Sequence, residues 1–188
     1  MCKNDVCSRC DEMLAEVYTK YANLKSMFNG LSNCVPDMVW AKDTKGKYTY
    51  ANNMLAYKLY RTSVADVIGK TDAELAAACK KEQGCANFTF GQMCGDSDRE
   101  VLREQRSMKF LEEGIIDGRH LILMVHKNVE RDIQGNVVGT VGIGRDVTFE
   151  YEALKDIAHS TTDSSARDAI LAVLHKNYYT NKDSGDGC

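Results

Sequence analysis

The chain has 188 residues, of which 44% are hydrophobic and 27% charged, with a formal charge of −3 and a pI of about 5.8. That balance supports one globular domain with helical arms. It lacks the basic excess of a nucleic-acid binder, so no nucleic-acid partner is expected. No apolar run approaches the roughly 20 residues of a membrane span, and Met1 to Asp11 are polar and cysteine-rich, unlike a secretory signal. The expectation is a cytoplasmic protein without direct membrane insertion.

Residues 11–31 read as a helix, because Leu14, Val17, Tyr18, Tyr21, Leu24 and Phe28 recur at spacings of three and four and form one apolar stripe. Gly30 is a plausible stop, and Pro36 breaks the chain before a strand. Residues 38–43 and 47–51 alternate as strands around a Thr44-Lys-Gly46 turn, where Gly46 is free to take positive φ. Short helices are expected over 53–59, 63–68 and 72–79, the last with Thr71 as a candidate cap.

Residues 80–95 read as a loop, and a helix reopens at Asp96 with acidic residues near its positive end. Three strands follow at about 107–116, 119–131 and 136–147, with turns at Asp117-Gly118 and Gln134-Gly-Asn136. The last strand alternates strictly, with Val137, Gly139, Val141 and Ile143 on one face and Val138, Thr140, Gly142 and Gly144 on the other. Helices are expected over 149–159 and 163–178, and the polar tail 181–188 reads as disordered.

Three segments, in the right order, carry a family likeness. Met38–Asn52 is a strand ending in Asp43, a glycine turn, and a strand ending in Ala51-Asn52. The second segment is Val67-Ile-Gly-Lys-Thr-Asp-Ala-Glu-Leu75. The third joins Arg131-Asp-Ile-Gln-Gly-Asn-Val-Val-Gly139 to Gly142-Ile-Gly-Arg-Asp-Val-Thr148. Together they resemble the PAS family of sensor domains over roughly residues 32–150. Asn87 to Asp98 is similar to a bacterial subgroup attached to histidine kinases and diguanylate cyclases.

The resemblance implies an α+β fold: a five-stranded antiparallel sheet with short helices on one face and flanking N- and C-terminal helices. It divides the chain into a cysteine-rich segment and helix at 1–31, a sensor domain at 32–148, and signalling helices with a tail at 149–188. It also implies a small-molecule ligand in the pocket of the sheet, a homodimer through the terminal helices, and a kinase or cyclase as output partner.

Small residues on one face of the last strand, Thr140, Gly142 and Gly144, leave volume beside the sheet. A ligand could fill it, or a bulky helix residue such as Tyr57. By analogy with flavin-binding members, Gly144 faces the pocket, as do Leu123, Val125 and Lys127 on the preceding strand. Lys127 is the favoured polar anchor, a cation at the pocket mouth that would select a carboxylate or phosphate. Its competing reading is a solvated lysine at a strand end.

The cofactor stays open. A haem would need an axial ligand, and the helix expected near 96–106 has no histidine, while His120 and His126 lie on a strand. Cys79, Cys85 and Cys94 lack the motif of flavin photoreceptors. Cys2, Cys7 and Cys10 form a C-x4-C-x2-C run with Cys34 beyond, but no second C-x2-C pair stands at zinc-ribbon spacing. A cysteine-ligated metal, cluster or redox sensor is one alternative function, and an interaction module without ligand is another. His159 reads as a surface helix residue and Glu112-Glu113 as a solvated strand edge. No P-loop, nucleophile elbow or zinc-protease helix stands out, so no enzymatic activity is expected.

Overall fold

The computed structural model describes residues 4–82, 88–116 and 118–174, without the side chains of 4–8, 80–82 and 91–93. It divides into two compact units, Met1–Val35 and Pro36–Cys188. The first is one long helix, α1 (Asn4–Cys34). The expected stop at Gly30 does not occur. An interior glycine costs a helix only about 1 kcal/mol, and α1 ends instead two residues before Pro36, which disfavours helical backbone in the residue preceding it.

The second unit is built on a five-stranded antiparallel sheet in the order β2-β1-β5-β4-β3. Its strands are β1 (Met38–Asp43), β2 (Tyr48–Ala51), β3 (Met108–Ile116), β4 (Arg119–Arg131) and β5 (Val137–Asp146). At the β1–β2 turn Gly46 takes φ +76°, and Asp43 Oδ1 accepts from the amides of Lys45 and Lys47, each at 2.9 Å. At the other end, Arg145 of β5 grips Asp37 through two hydrogen bonds.

Between β2 and β3 run a π-helical turn (Leu55–Leu59), α2 (Val64–Val67), α3 (Asp72–Glu82) and α4 (Phe90–Glu104). Asn52 is fully buried and starts the π turn. Its Oδ1 accepts from Val39 N and Leu55 N, each at 3.0 Å. Thr71 caps α3 as expected, in a reciprocal box: Glu74 N donates to Thr71 Oγ1 and Thr71 N donates to Glu74 Oε2.

The expected loop at 80–95 is too long. α3 continues to Glu82 and α4 begins at Phe90, six residues before Asp96. Phe90, Cys94, Ser97, Asp98 and Val101 recur at three and four and are all buried, a helical face that the glycines at 91 and 95 obscured. The chain closes with α5 (Thr148–Ser160) and α6 (Ser164–Leu174). Residues 175–188, which hold the end of the expected second helix and the tail, lie outside the described residues, as does Asp117 of the expected turn.

The core runs from Met38 to Val125 and is packed around Trp40, Tyr60, Phe88 and Phe90. Among the described residues, no helix is long and apolar enough to cross a membrane.

Candidate ligand site in the domain interior

Strand register sets which side chains share the inner face. Opposite residues of an antiparallel pair point to the same side. Trp40 pairs with Gly142, Lys42 with Thr140, Lys127 with Gly142, and Val125 with Gly144. Glu112 of β3 stands opposite Leu123. Lys127, Leu123, Val125, Thr140, Gly142 and Gly144 therefore meet on one buried surface. Tyr57 does not join them: it is 75% exposed on the π turn, in a separate cavity with His120 and Asp146.

The space left by the small residues of β5 is filled by Trp40. A Cβ at Gly142 would fall inside van der Waals contact of the indole, and one at Gly144 would lie 3.2 Å from it. The bulky neighbour is thus a residue of the adjacent strand, not Tyr57. Period-two reading located the glycines but could not locate their partner, because that partner is set by strand order.

Lys127 is neither solvated nor at a pocket mouth. It is 1% exposed and its Nζ lies 2.8 Å from Asp98, 3.0 Å from Glu112 and 2.6 Å from Ser97 Oγ, to which it donates. Lys42, also 1% exposed, contacts Asp72 at 2.5 Å and Asp98 at 2.6 Å. Tyr48 and Tyr60 both donate to Asp72 Oδ1, and Ser97 and the Cys94 thiol donate to Glu112. The result is a continuous buried lattice of two ammonium groups and three carboxyl groups, with a formal charge of −1. Glu112 belongs to this lattice and not to a solvated strand edge; only its neighbour Glu113 is exposed.

The electrostatics follow from this pairing. Burial pushes both lysine pKa values down, but Asp72 and Asp98 outweigh it at Lys42, and Glu112 and Asp98 outweigh it at Lys127, so both are raised above the ordinary lysine value, Lys127 strongly. Burial would raise the Asp98 carboxyl, yet Lys127 and Lys42 together hold it below the usual carboxylate value. Burial, reinforced by Glu112, drives the Cys94 thiol far up, which makes it an inert proton donor and not a nucleophile. Burial and Asp72 do the same to the Tyr48 and Tyr60 hydroxyls.

Among the described residues three buried side-chain polar atoms have no hydrogen-bond partner; Asp98 Oδ1 is ion-paired with the Lys127 ammonium at 2.8 Å, which leaves Trp40 Nε1 and Thr140 Oγ1. The indole presents its nitrogen edge to Gly142 and its far edge to Gly144, and Thr140 is the next residue of β5 on the same face beyond Gly142. The Lys127 ammonium lies 5.7 Å from the same ring. From outside, a cavity of about 810 Å3 reaches the lattice at Asp72 and Asp98, between the β1–β2 turn, α3 and α4.

Sequence reasoning missed Lys42, Asp72, Asp98 and Glu112. For Lys42 a signal existed: it continues the inward alternation Met38, Trp40. The cysteine expectations divide. Cys10 and Cys34 are exposed and Cys79 and Cys94 buried, while those on Cys2, Cys7 and Cys85 fall outside the described side chains. Among the described residues no group of three His, Cys, Asp or Glu is placed to hold a metal ion. His120 sits between Glu113 at 2.6 Å and Glu152 at 3.0 Å, and His126 and His159 are exposed.

Comparison with known proteins places this geometry. VqmA of Vibrio cholerae, solved as a complex with ligand and DNA, is 25% identical with a TM-score of 0.52; the match covers 75% of this chain and 61% of that one, so this chain spans about three fifths of its length. A structure of VqmA bound to DPO is 23% identical, with a TM-score of 0.52 and coverage of 82% and 78%. An RNA-binding light-oxygen-voltage receptor is 18% identical, with a TM-score of 0.53 and coverage of 83% and 38%. A search of curated proteins finds no match. The VqmA likeness overturns the expectation that nucleic acid plays no part. Net charge summed over a sensor region does not test what the protein that carries it binds. A family model for the PAS fold matches residues 32–152, well over half of the chain, and the chain belongs to the PAS family.

Proposed function

We propose that the domain is a non-catalytic sensor for a small, uncharged, hydrogen-bonding molecule that docks against Trp40 and Thr140. The two orphaned polar atoms carry this reading. A buried hydroxyl or indole N–H left without a partner costs about 1–3 kcal/mol, and a ligand that meets both recovers it. The charge of the lattice refines the ligand class. Lys127 is already matched by Asp98 and Glu112, so a carboxylate or phosphate would meet a formal negative charge instead of a free cation. The VqmA structure solved with ligand and DNA supports a ligand-responsive role for this fold.

The signal would leave through α5, whose Glu152 is hydrogen-bonded to His120 of β4. Ligand binding would shift the balance between two arrangements of sheet and helix.

Trp40 is the one tryptophan of the chain, so its fluorescence reports on this site alone. The test is to denature protein purified from its native cells, identify co-purifying small molecules by mass spectrometry, and titrate them back. A shift in Trp40 emission with a raised melting temperature is expected. If neutral and anionic extracts alike leave both unchanged, the sensor reading fails.

A further inference from the structure

A second cavity, of about 660 Å3, opens where β5 passes into α5, at the opposite end of the sheet from the β1–β2 turn. The sensor reading gives it no role. The π turn and the bend after it supply Lys58 and Arg61, the start of β4 supplies Arg119, and the end of β5 supplies Asp146.

Charge singles this cavity out. Lys58, Arg61 and Arg119 stand against Asp146, a formal +2 in a chain whose total is −3. The cavity at the β1–β2 turn has the other sign, with Asp43, Asp72 and Asp98 against Lys45 and Arg99. Among the described residues Lys58 and Arg119 make no ion pair. Asp146 is already engaged: its Oδ1 accepts from the amide and the hydroxyl of Thr148. His120 forms wall, because Glu113 and Glu152 occupy both of its ring nitrogens, and neither glutamate lines the cavity.

The backbone that presents the cations is irregular at two points. Lys58 sits on the π turn, a form that recurs at functional sites. Arg61 has φ +52°, a left-handed conformation that glycine or asparagine adopts more readily, and such strain clusters at ligand sites. The lining also has an apolar part, in buried Ile116 and half-buried Leu121, and an exposed aromatic ring in Tyr57. Its volume suits a small organic molecule.

We propose that this cavity is a second ligand site, for a small molecule that joins a phosphate group to an apolar or aromatic body. A phosphate monoester carries about −1.5 to −2 at neutral pH, which matches the wall. Arginine forks take its oxygens in pairs and lysine adds a point charge. A single carboxylate would leave half of the positive charge unmatched. The occupant would touch the π turn, the β3–β4 hairpin and Thr148 of α5 together, without sharing a side chain with the interior site. This stands independently of the sensor proposal.

The test is calorimetric titration of the full chain with phenyl phosphate, with benzyl alcohol as the neutral probe and Lys45→Gln as the control from the other cavity. Phenyl phosphate should bind, and more weakly as salt rises. Lys58→Gln and Arg119→Gln should each weaken it about tenfold. Both residues are exposed, so the melting temperature without ligand should hold. Arg61→Asn, which suits the left-handed backbone, should weaken binding as well. Lys45→Gln should change nothing, and Trp40 emission should not move. The site is overturned by an absence of heat at millimolar phenyl phosphate, by equal binding of benzyl alcohol, or by full affinity in Lys58→Gln and Arg119→Gln. An equal loss in Lys45→Gln, or a shift in Trp40 emission, would place the anion elsewhere and overturn it too.

Discussion

At the scale of single residues, Lys127 and Thr140 make opposite predictions. Lys127→Met leaves Asp98 and Glu112 buried with one cation fewer. Breaking a buried pair in this way costs about 3–5 kcal/mol. Lys127 is the larger of the two cationic influences that hold the Asp98 carboxyl low. Its removal raises that pKa, so in the variant a neutral carboxyl becomes accessible at milder acidity. Urea unfolding should therefore show a smaller loss at pH 5 than at pH 8; an equal loss would mean that the cost is packing and not charge. Thr140→Val removes a hydroxyl that has no partner, so the ligand-free protein should gain up to about 1 kcal/mol. The same change should weaken the ligand about tenfold, the equivalent of 1.4 kcal/mol. A variant that is less stable and binds equally well would show that the hydroxyl is satisfied within the protein. Gly142→Ala drives a methyl group into the Trp40 ring, and the overpacking should cost about 1–3 kcal/mol with an altered Trp40 emission.

At the scale of elements, His120 ties three of them together: Glu113 of β3, its own β4 and Glu152 of α5. The hydrogen bond to Glu152 above all, and then that to Glu113, raise the imidazole pKa above its ordinary value. A raised folded-state pKa means that the contribution is complete below the unfolded value of about 6.5 and is lost as pH climbs through the folded value. Amide exchange in α5 should therefore speed up across that window beyond the intrinsic pH effect, and His120→Asn should abolish the extra acceleration. An unchanged profile in His120→Asn would remove this link from the signalling path. The elements themselves were largely legible, because their signals are local: Gly46 in its turn, the Thr71–Glu74 box, the alternation of β5. The site was less so. Asp98 and Glu112 each look like an ordinary charged surface residue among their sequence neighbours, and Lys42 is marked only by its place in the alternation Met38, Trp40. What buries them is sheet order and the placement of α4, and neither is encoded within a dozen residues of any one of them. The early start of α4 was hidden for a related reason, since Gly91 and Gly95 lower local helix propensity while Phe90 and Cys94 are held by tertiary packing.

At the scale of the whole molecule, the main hydrophobic cluster among the described residues runs from Met38 to Val125, and the groups of the buried lattice lie between Lys42 and Lys127. The Pro36–Cys188 unit thus contains its own core and its own polar network, which is the physical requirement for independent folding. Residues 36–188 expressed alone should fold cooperatively, with a melting temperature within a few degrees of that of the full chain. Trp40 emission should be unchanged, because the indole packs on β5, and the response to ligand should be retained. A fragment that fails to fold would show that α1 contributes to the stability of the sensor. A fragment that folds but no longer responds to ligand would show that sensing needs α1 as well as the sheet.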